Sequence, residues 1–445
     1  DRDWSSDVCS SDLYHFRYYG GMLDIKFIRE NPDLIKEGAR KKHINFDVDA
    51  LLSVEEKRKG ALTAFETVRA EQNTLSDEIP KTTDSTKRSE LIEGLKILKE
   101  KVQAAEEVVR EVTKEWQTLM LQVPNIPDVS VPEGEDDAAN VEVSTWGEKP
   151  TFDFTPKNHI ELMESLGMAD FEKGAEVSGF RGYFLKGDGA LLEFALWQFV
   201  TEFFRTKKND YEFMIVPSLV RRETLLGTGY LPQGEDDLYK TQDADYLSGT
   251  AEVAVMSYFA DTMLQSTDLP IKKIAFSTAF RREAGSHSKD TKGLFRVHEF
   301  HKFEQVILCE ASHEVSVAHH EELLKNAEEL LQALQLPYHV VVNCGGDLGL
   351  GQVKKYDIEA WVPSQNTYRE THSCSYFHDF QSRRLNLKYK DAEGKSHFVH
   401  SLNNTALATP RILQHLVENY QQADGTIRVP EVLIPYIGKE FLGKK

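Results

Sequence analysis

The stretch AFRREAGSHSKDTKGLFRVHEFHKFEQ occupies residues 279–305 and predicts a strand, a polar loop and a second strand. Its charged and aromatic side chains suited to holding a ligand are Arg281, Arg282, Glu283, Arg296, Phe300 and Glu304. Arginine presents a planar fork of donors that can engage two phosphate oxygens at once. Any one of these arginines taken alone is better explained as a surface residue, so only the whole pattern indicates a phosphate-binding unit.

Outside this unit the chain mixes helices and strands without regular alternation. An apolar spacing over 313–334 predicts a long helix. Apolar runs predict strands at 213–216, 273–280, 303–309, 338–343 and 356–362. Such irregular placement favours an α+β domain with a mainly antiparallel sheet. The chain has neither GxxxxGK[ST] nor a strand-linked GxGxxG, so side chains would have to hold any phosphates.

The clearest periodicity lies nearer the N-terminus. Two series follow alternating spacings of three and four residues, from Leu51 to Ile79 and from Leu91 to Leu119. This spacing is typical of a coiled-coil seam, and the stretch PKTTDSTKRS (80–89) between the series contains a helix-breaking proline. We therefore expect an antiparallel α-helical hairpin whose limbs of about 29 residues are roughly 43 Å long.

The net charge of −19 argues against nucleic-acid binding through a broadly basic surface. The hairpin region differs, since residues 40–120 hold 15 Lys+Arg against 16 Asp+Glu and so carry only −1 of that charge. Its lysines and arginines could therefore approach a phosphate backbone locally. The plainer interpretation of such a hairpin is a spacer or a dimerisation device, and periodicity alone favours it.

The composition is that of an ordinary globular protein, with 40% hydrophobic and 28% charged residues. No run of about 18 apolar residues occurs, so we expect no membrane association. The four cysteines are far apart and form no CxxC pair, which indicates neither a disulfide framework nor a cysteine-based zinc site. A reduced, cytoplasmic location without bound zinc is the expectation.

The sequence divides into four segments. Residues 1–21 lack periodicity and the features of a secretory signal, and we expect them to be an artefactual or disordered extension. Residues 22–121 contain the predicted hairpin. Residues 122–142 are rich in proline and acidic residues and predict a linker, and residues 143–445 hold the mixed helices and strands.

Several motifs occur together and in order. FRRE, a polar loop and RVHEF are followed by LNNTALATPR (402–411), and the set resembles motifs 2 and 3 of the class II aminoacyl-tRNA synthetases. The stretch GTAEV (249–253), the sequence RETHSCSYFHDFQSRR (369–384) and the hairpin narrow the resemblance to seryl-tRNA synthetases of bacterial type. It covers essentially everything from Met22 to the C-terminus.

The resemblance implies an α+β enzyme with a tRNA-binding hairpin domain at 22–121. A class II catalytic domain, a mainly antiparallel sheet flanked by helices, would follow at 143–445. The implied reaction is ATP-dependent activation of L-serine to seryl-adenylate, then transfer of serine to tRNA(Ser), and to tRNA(Sec) where that exists. A weak motif 1, a helix at 190–208 leading to a strand that ends at Pro217, implies a homodimer.

The family's motifs also imply a role for each site residue. Those implied to bind serine are Thr250, Ala251, Glu252, Arg296, Glu304, Asn403 and Thr405. Those implied to bind ATP are Arg281, Arg282, Glu283, Val297, Phe300, Glu370, Thr371, His372, Ser373 and Arg411. Among them Arg281 and Arg411 are the catalytic residues, and Glu370 with Ser373 would hold Mg²⁺, a hard cation that prefers oxygen ligands.

One pair of residues departs from the family pattern. At Thr371 and His372 the family more commonly has an aliphatic residue and a serine. Position 372 is therefore either a nucleotide contact, as the motif implies, or a strand residue that points off the site.

Two other functional classes have to be weighed. A carrier-protein ligase built on the same core would charge a protein instead of tRNA, but such relatives lack the long hairpin. A non-catalytic coiled-coil scaffold would retain only the synthetase fold. The presence of Arg281, Glu283, Glu304 and Arg411 speaks against that interpretation.

Overall fold

The computed structural model describes residues 23–208, 210–285 and 290–443. The extension expected at 1–21 lies outside these residues. The chain divides into two compact units, a smaller one with Gly21–Arg40 and Ile44–Pro124 and a larger one with Lys41–His43 and Asn125–Lys445. None of the helices in the described part combines the length and apolarity needed to cross a membrane.

The N-terminal part of the chain is helical. Its helices are α1 (Ile25–Glu30), α2 (Pro32–Lys41), α3 (Val48–Glu78) and α4 (Ser85–Met120). The two long helices begin at aspartates, whose side chains accept hydrogen bonds from backbone N–H groups that have no partner within the helix. Asp47 accepts from the backbone N of Ala50 at 2.9 Å, and Asp84 accepts from that of Thr86 at 2.8 Å.

Helices α3 and α4 form the predicted antiparallel hairpin. Far from the turn, the Arg58 guanidinium lies 4.5 Å from the centre of the Trp116 ring, and near the turn Leu75 packs against Gly94. The turn spans only 79–84, so the prediction of a non-helical stretch to residue 89 was wrong. Because the Asp84 cap starts the helix and its first turns are exposed, polar residues are accommodated there.

The larger unit contains the remaining elements in mixed order. Its helices are α5 (His159–Ser165), α6 (Phe171–Ser178), α7 (Asp188–Lys207), α8 (Arg222–Thr228), α9 (Ala251–Tyr258), α10 (His313–Ala333), α11 (Phe380–Arg384), α12 (Thr409–Asn419) and α13 (Ile434–Ile437). Its strands up to the long helix α10 are β1 (Val141–Trp146), β2 (Ala169–Asp170), β3 (Phe184–Leu185), β4 (Glu212–Ile215), β5 (Leu219–Val220), β6 (Tyr239–Lys240), β7 (Tyr246–Leu247), β8 (Met263–Gln265), β9 (Ile271–Phe280) and β10 (Glu299–Cys309). Its later strands are β11 (Tyr338–Val342), β12 (Lys354–Val362), β13 (Thr367–His378), β14 (Lys388–Lys390), β15 (Ser396–Phe398), β16 (His400–Ala408), β17 (Ile427–Arg428) and β18 (Phe441–Leu442).

Eight strands form the central sheet, in the order β1-β11-β12-β13-β16-β10-β9-β4. Neighbours run antiparallel throughout, except that β4 lies parallel to β9. This confirms the predicted α+β class with a mainly antiparallel sheet. The predicted strand–loop–strand unit at 279–305 corresponds to the end of β9, the intervening loop and the start of β10.

The two faces of the sheet differ in character because successive side chains of a strand point to opposite sides. On β16, Leu402 and Ala406 join the apolar core, which includes residues of α7, α10 and α12. Between them, Asn404 donates a hydrogen bond from Nδ2 to the Leu323 carbonyl of α10 at 2.8 Å. The intervening side chains face the other side, which is polar and concave.

Residues 125–142, most of the stretch whose composition predicts a linker, belong to the larger unit. Asn125 is buried, and its side-chain Nδ2 donates to the carbonyls of Gly351 at 3.0 Å and Phe377 at 2.8 Å. Strand β1 then starts at Val141 and pairs with β11.

Candidate active site

A cleft of about 180 Å³ opens on the polar face of the sheet. Its walls come from strands β10, β13 and β16, the start of helices α9 and α12, and the loop before β10. The predicted site residues that line it are Thr250, Glu252, Arg281, Glu283, Arg296, Val297, Phe300, Glu304, Glu370, Thr371, Ser373, Asn403, Thr405 and Arg411. Residues up to 161 positions apart in the chain, from 250 to 411, therefore meet in one cavity.

One end of the cleft is built around two buried carboxylates, Glu252 and Glu304. Glu252 lies in the first turn of α9 and is held on both oxygens. Tyr230 donates its hydroxyl to Oε2 at 2.8 Å, and Gln381 donates Nε2 to Oε1 at 2.6 Å. Glu304 forms an ion pair with the ammonium of Lys302, which is also buried. The carboxylates are thus fixed in place before any ligand binds.

Burial is the main influence on the pKa values of the two carboxyl groups at this end of the cleft. It raises the pKa of Glu252, and the nearby charge of Glu304 raises it further. Burial also raises the pKa of Glu304, although the Lys302 ammonium acts against this. Glu252, Glu304 and Lys302 together carry one negative charge when all three are ionised, and the two carboxylates suit a cationic group.

Arg281 and Phe300 line the cleft where β9 and β10 run side by side. The Arg281 guanidinium carbon lies 5.4 Å from the centre of the Phe300 ring. Its Nε and one Nη donate weakly to the Gly249 carbonyl, each at 3.4 Å. Because these hydrogen bonds are long, the guanidinium can turn toward a ligand anion at small cost.

Glu283 lies beside Arg296, and the two side chains form an ion pair. Arg296 also approaches Asp290, with Nε 3.7 Å from Oδ2. Glu283 has a φ of +55°, a left-handed conformation that is strained for a residue with a Cβ. The loop thus turns sharply so that the Glu283 carboxyl faces the cavity.

The other end of the cleft contains an ion pair between Arg411, at the start of α12, and Glu370. The Arg411 Nη1 lies 3.0 Å from Oε1 of Glu370 on β13, and the Arg411 guanidinium carbon lies 4.8 Å from the centre of the Phe295 ring. Partial burial acts to raise the pKa of Glu370, but Arg411, Lys355 and Arg281 together lower it to about 2. Glu370 is therefore a carboxylate under all ordinary conditions.

Glu370 and Ser373 fit the predicted Mg²⁺ site in their chemistry. A permanently ionised carboxylate and a hydroxyl offer hard oxygen ligands, and the Glu370 side chain is 40% exposed. Two protein ligands leave the remaining positions of an octahedral ion to phosphate oxygens and water. Both residues line the cavity, and Glu370 pairs with Arg411.

Two β-bulges shape the strands that carry these residues. Thr371 is an extra residue of β13 in its pairing with β12. Ala406 is an extra residue of β16 in its pairing with β10. His372 joins the two bulges, since its Nε2 lies 3.2 Å from the Ala406 carbonyl and its Nδ1 2.8 Å from the Thr371 hydroxyl. Bulges commonly redirect side chains next to active sites.

The side chain of His372 is buried and points into the protein, so the predicted contact of this side chain with ATP is corrected. The other expectation, a strand residue pointing off the site, describes it. Burial lowers its pKa to about 4, which keeps the ring neutral. Arg282 is exposed and donates to the Asp236 carbonyl at 3.1 Å, and Ala251 is buried at the start of α9.

Several residues of the cleft escaped sequence reasoning. They are Tyr230, Lys302, Gln352 and Ser375, which line it, and Gln381, which supports Glu252 from behind. For Lys302 a signal existed, since it lies two residues before Glu304 and hence on the same face of the strand. Ser375 and Gln381 lie within the stretch 369–384 already noted, and Ser375 is two residues after Ser373 on the same strand. Tyr230 and Gln352 come from distant segments and carry no local pattern.

Family models match both parts of the chain. Residues 22–127 match the seryl-tRNA synthetase N-terminal domain, and residues 237–420 match the tRNA synthetase class II core domain (G, H, P, S and T). A serine–tRNA ligase of Deinococcus radiodurans is 48% identical over 425 residues, which cover 95% of this chain and 99% of that protein.

Solved structures agree with these matches. The crystal structure of seryl-tRNA synthetase from Pyrococcus horikoshii complexed with ATP has a TM-score of 0.84 at 37% identity and covers 94% of this chain and 99% of that one. Cytoplasmic serine–tRNA ligase from Naegleria fowleri in complex with AMP has a TM-score of 0.79 at 32% identity, covering 93% and 95%. The resemblance noted in the sequence is confirmed, and the chain belongs to the seryl-tRNA synthetase family.

Proposed function

We propose that the protein activates L-serine with ATP to form seryl-adenylate and then transfers the seryl group to tRNA(Ser). The observation that supports this best is the polarity of the cleft. One end holds the carboxylates of Glu252 and Glu304, and the other holds Arg411 with Glu370. The ammonium group of serine would bind at the first end, and the phosphates of ATP with their Mg²⁺ would bind at the second.

Serine would bind at the carboxylate end. Its ammonium group would meet Glu252 and Glu304, and its positive charge would favour the ionised form of both carboxyl groups. Its hydroxyl would reach Thr405 with support from Asn403, while Thr250 lines the pocket next to the buried Ala251. Arg296 would contact the serine carboxylate or the phosphates. A buried polar partner for the hydroxyl penalises alanine, which would leave that partner unpaired.

ATP would bind toward the arginine end. Phe300 would stack on the adenine and Glu283 would accept from its amino group, with Val297 and the backbone around Thr371 bordering the ring and phosphates. Arg281 would hold the α-phosphate and Arg411 the γ-phosphate, so that the nucleotide is bent. Glu370 and Ser373 would hold Mg²⁺, which when bound neutralises phosphate charge.

The reaction needs positioning and charge stabilisation and no protein nucleophile. A carboxylate oxygen of serine attacks the α-phosphorus of ATP, the bond to the β-phosphate oxygen breaks, and pyrophosphate leaves. Arg281 stabilises the charge that develops on the α-phosphate oxygens. The terminal ribose hydroxyl of tRNA then attacks the carbonyl carbon of the adenylate, AMP leaves, and the hydroxyl proton passes to solvent or phosphate.

The helical hairpin would bind the tRNA body. Duplex RNA has a deep major groove that side chains cannot read, so recognition would rest on shape and backbone phosphates. The near-neutral charge of the hairpin against the acidic remainder supports this role. Serylation of tRNA(Sec), where that tRNA exists, would use the same contacts, and the cytoplasm is where such substrates occur.

A homodimer is also part of the proposal. Helix α7 and strand β4 expose large apolar side chains, including Phe194 at 50% and Ile215 at 88%. Strand β4 is also the last strand of the central sheet, so this face has an open edge. Apolar surface of this kind next to an open sheet edge is typical of an interface between copies.

The test is ATP–pyrophosphate exchange with a panel of amino acids. We expect exchange that depends on serine and Mg²⁺ and proceeds without tRNA or added zinc. Alanine and threonine are the matched controls, since they lack the hydroxyl or add a methyl group. Exchange driven better by either of them would contradict the serine assignment, and loss of activity with a zinc-selective chelator would contradict the metal assignment.

A further inference from the structure

Lys42 is a buried lysine, 2% exposed, whose ammonium is held by backbone carbonyls. Its Nζ donates hydrogen bonds to three carbonyl oxygens, those of Gly349 (3.0 Å), Leu350 (2.9 Å) and Gln352 (2.6 Å). Three acceptors need three N–H donors, which only the charged form supplies. The carbonyl oxygens therefore favour the protonated side chain, although burial lowers the pKa of Lys42.

Asn125 holds the same loop, residues 349–352, from a second direction. Its backbone N donates to the Leu350 carbonyl at 2.9 Å, and its Nδ2 donates to the Gly351 carbonyl at 3.0 Å. All four successive carbonyls of the loop thus accept hydrogen bonds from Lys42 or Asn125. With its backbone oxygens held in this way, the loop has a defined position against the cleft.

The last residue of the loop, Gln352, lines the cleft. Its Oε1 accepts from the backbone N of Gly349 at 2.6 Å, and its Nε2 donates to the hydroxyl of Ser375 at 2.8 Å. Ser375 on β13 is paired with Asn403 on β16, and both side chains line the cavity. Hydrogen bonds therefore run from Lys42 to Ser375, whose strand neighbour Asn403 is the residue expected to support the serine hydroxyl.

We propose that Lys42 is a positioning residue for the amino-acid end of the cleft. Its ammonium holds loop 349–352, and the loop in turn holds the Gln352 amide against Ser375, beside Asn403. Without the ammonium, buried carbonyls would lose their partners, and the loop would shift to find others. The inference rests on the proposed function, because it predicts an effect on serine and not on ATP.

The first variant is Lys42→Met, which keeps the length of the side chain and removes the ammonium. In pyrophosphate exchange we expect the KM for serine to rise roughly tenfold or more, while the KM for ATP stays within about twofold. Lys41→Met is the matched control, since Lys41 is the neighbouring lysine and its Nζ is 3.4 Å from the Asp128 carbonyl. Its constants should equal those of the unmodified protein.

The second variant, Gln352→Ala, tests the same route without disturbing the buried lysine. It should raise the KM for serine and leave the KM for ATP unchanged. The double variant should have the same KM for serine as the more impaired single variant, because both changes break one series of contacts. The proposal is overturned if Gln352→Ala leaves this KM unchanged or if the two effects multiply. It also fails if Lys42→Met raises both KM values alike.

Failure of the proposed function would give a different result in the exchange assay. An unmodified protein without serine-dependent exchange would contradict serine activation itself. The loop contacts would then be judged by amide hydrogen exchange in Lys42→Met. Faster exchange at 349–352 supports the positioning role, and unchanged exchange there overturns it.

Discussion

Nη1 of Arg411 lies 3.0 Å from Oε1 of Glu370, so the arginine at the start of α12 and the carboxylate of β13 neutralise each other across the cleft. The proposed function assigns these two residues to opposite partners, the γ-phosphate and Mg²⁺. When ATP binds with Mg²⁺, the ion pair between Arg411 and Glu370 would therefore be replaced by two others. Arg411 would pair with the γ-phosphate, and Glu370 with Mg²⁺. Because the charges are already placed, little reorganisation is needed when the nucleotide binds.

Replacing Glu370 by Gln should weaken the dependence on Mg²⁺ at this position. The amide keeps the shape of the side chain but loses the charge that the cation needs, so we expect roughly a tenfold or larger rise in the Mg²⁺ concentration for half-maximal exchange. A Mg²⁺ titration of serine-dependent pyrophosphate exchange measures it. An unchanged titration curve would show that Glu370 does not bind Mg²⁺.

Replacing Arg281 by Ala should slow exchange by about a hundredfold or more, because a charge-assisted contact to the reacting phosphate is lost. Folding should be unchanged, since the guanidinium makes two long hydrogen bonds to the Gly249 carbonyl and one contact with the Phe300 ring at 5.4 Å. Arg428→Ala is the control, because that arginine is 55% exposed, pairs with Glu431 and does not line the cleft. A well-folded Arg281→Ala protein with near-normal exchange would show that the motif 2 assignment is wrong.

Serine binding should weaken as the pH falls, because protonation of Glu252 or Glu304 removes a charge that faces the ammonium. Burial raises both pKa values above the usual 4.5, so the loss should begin at a higher pH than for an exposed glutamate. The KM for serine, measured from about pH 7 to pH 5, should rise while the KM for ATP changes less. Glu252→Gln should raise this KM at neutral pH and flatten its pH dependence, and a KM for serine that stays constant over this range would contradict the assignment.

Replacing residues 49–119 by a short Gly/Ser linker should separate the two activities. The core of the larger unit is formed by its own residues, so formation of seryl-adenylate and dimerisation should persist. Transfer to tRNA should fall sharply through weaker binding, and binding by the intact protein should weaken as salt is added. If the shortened enzyme charges tRNA as well as the full chain, the hairpin is only a spacer.

Sequence reasoning succeeded where the signal was local. The hairpin follows from heptad spacing, and strands such as β9 and β12 follow from apolar runs bounded by polar residues. It failed at the start of α4, where a single capping residue, Asp84, outweighs the turn-forming composition of the next residues. At position 372 it left two alternatives, and only the structure decided between them, because a β-bulge at Thr371 redirects the side chains that follow and leaves no mark in composition.

The sequence by itself determined the α+β class, the hairpin, the family resemblance and the set of residues that should meet substrate. These depend on periodicity, motif order and residue chemistry, which can be recognised within short segments of the sequence. Only the tertiary structure decided which groups support that set, such as Gln381 under Glu252 and Lys42 under the loop of Gln352. The partners of these contacts are 129 and 310 residues apart in the chain. Packing of the sheet brings them together, and no local pattern encodes a contact that depends on the whole fold.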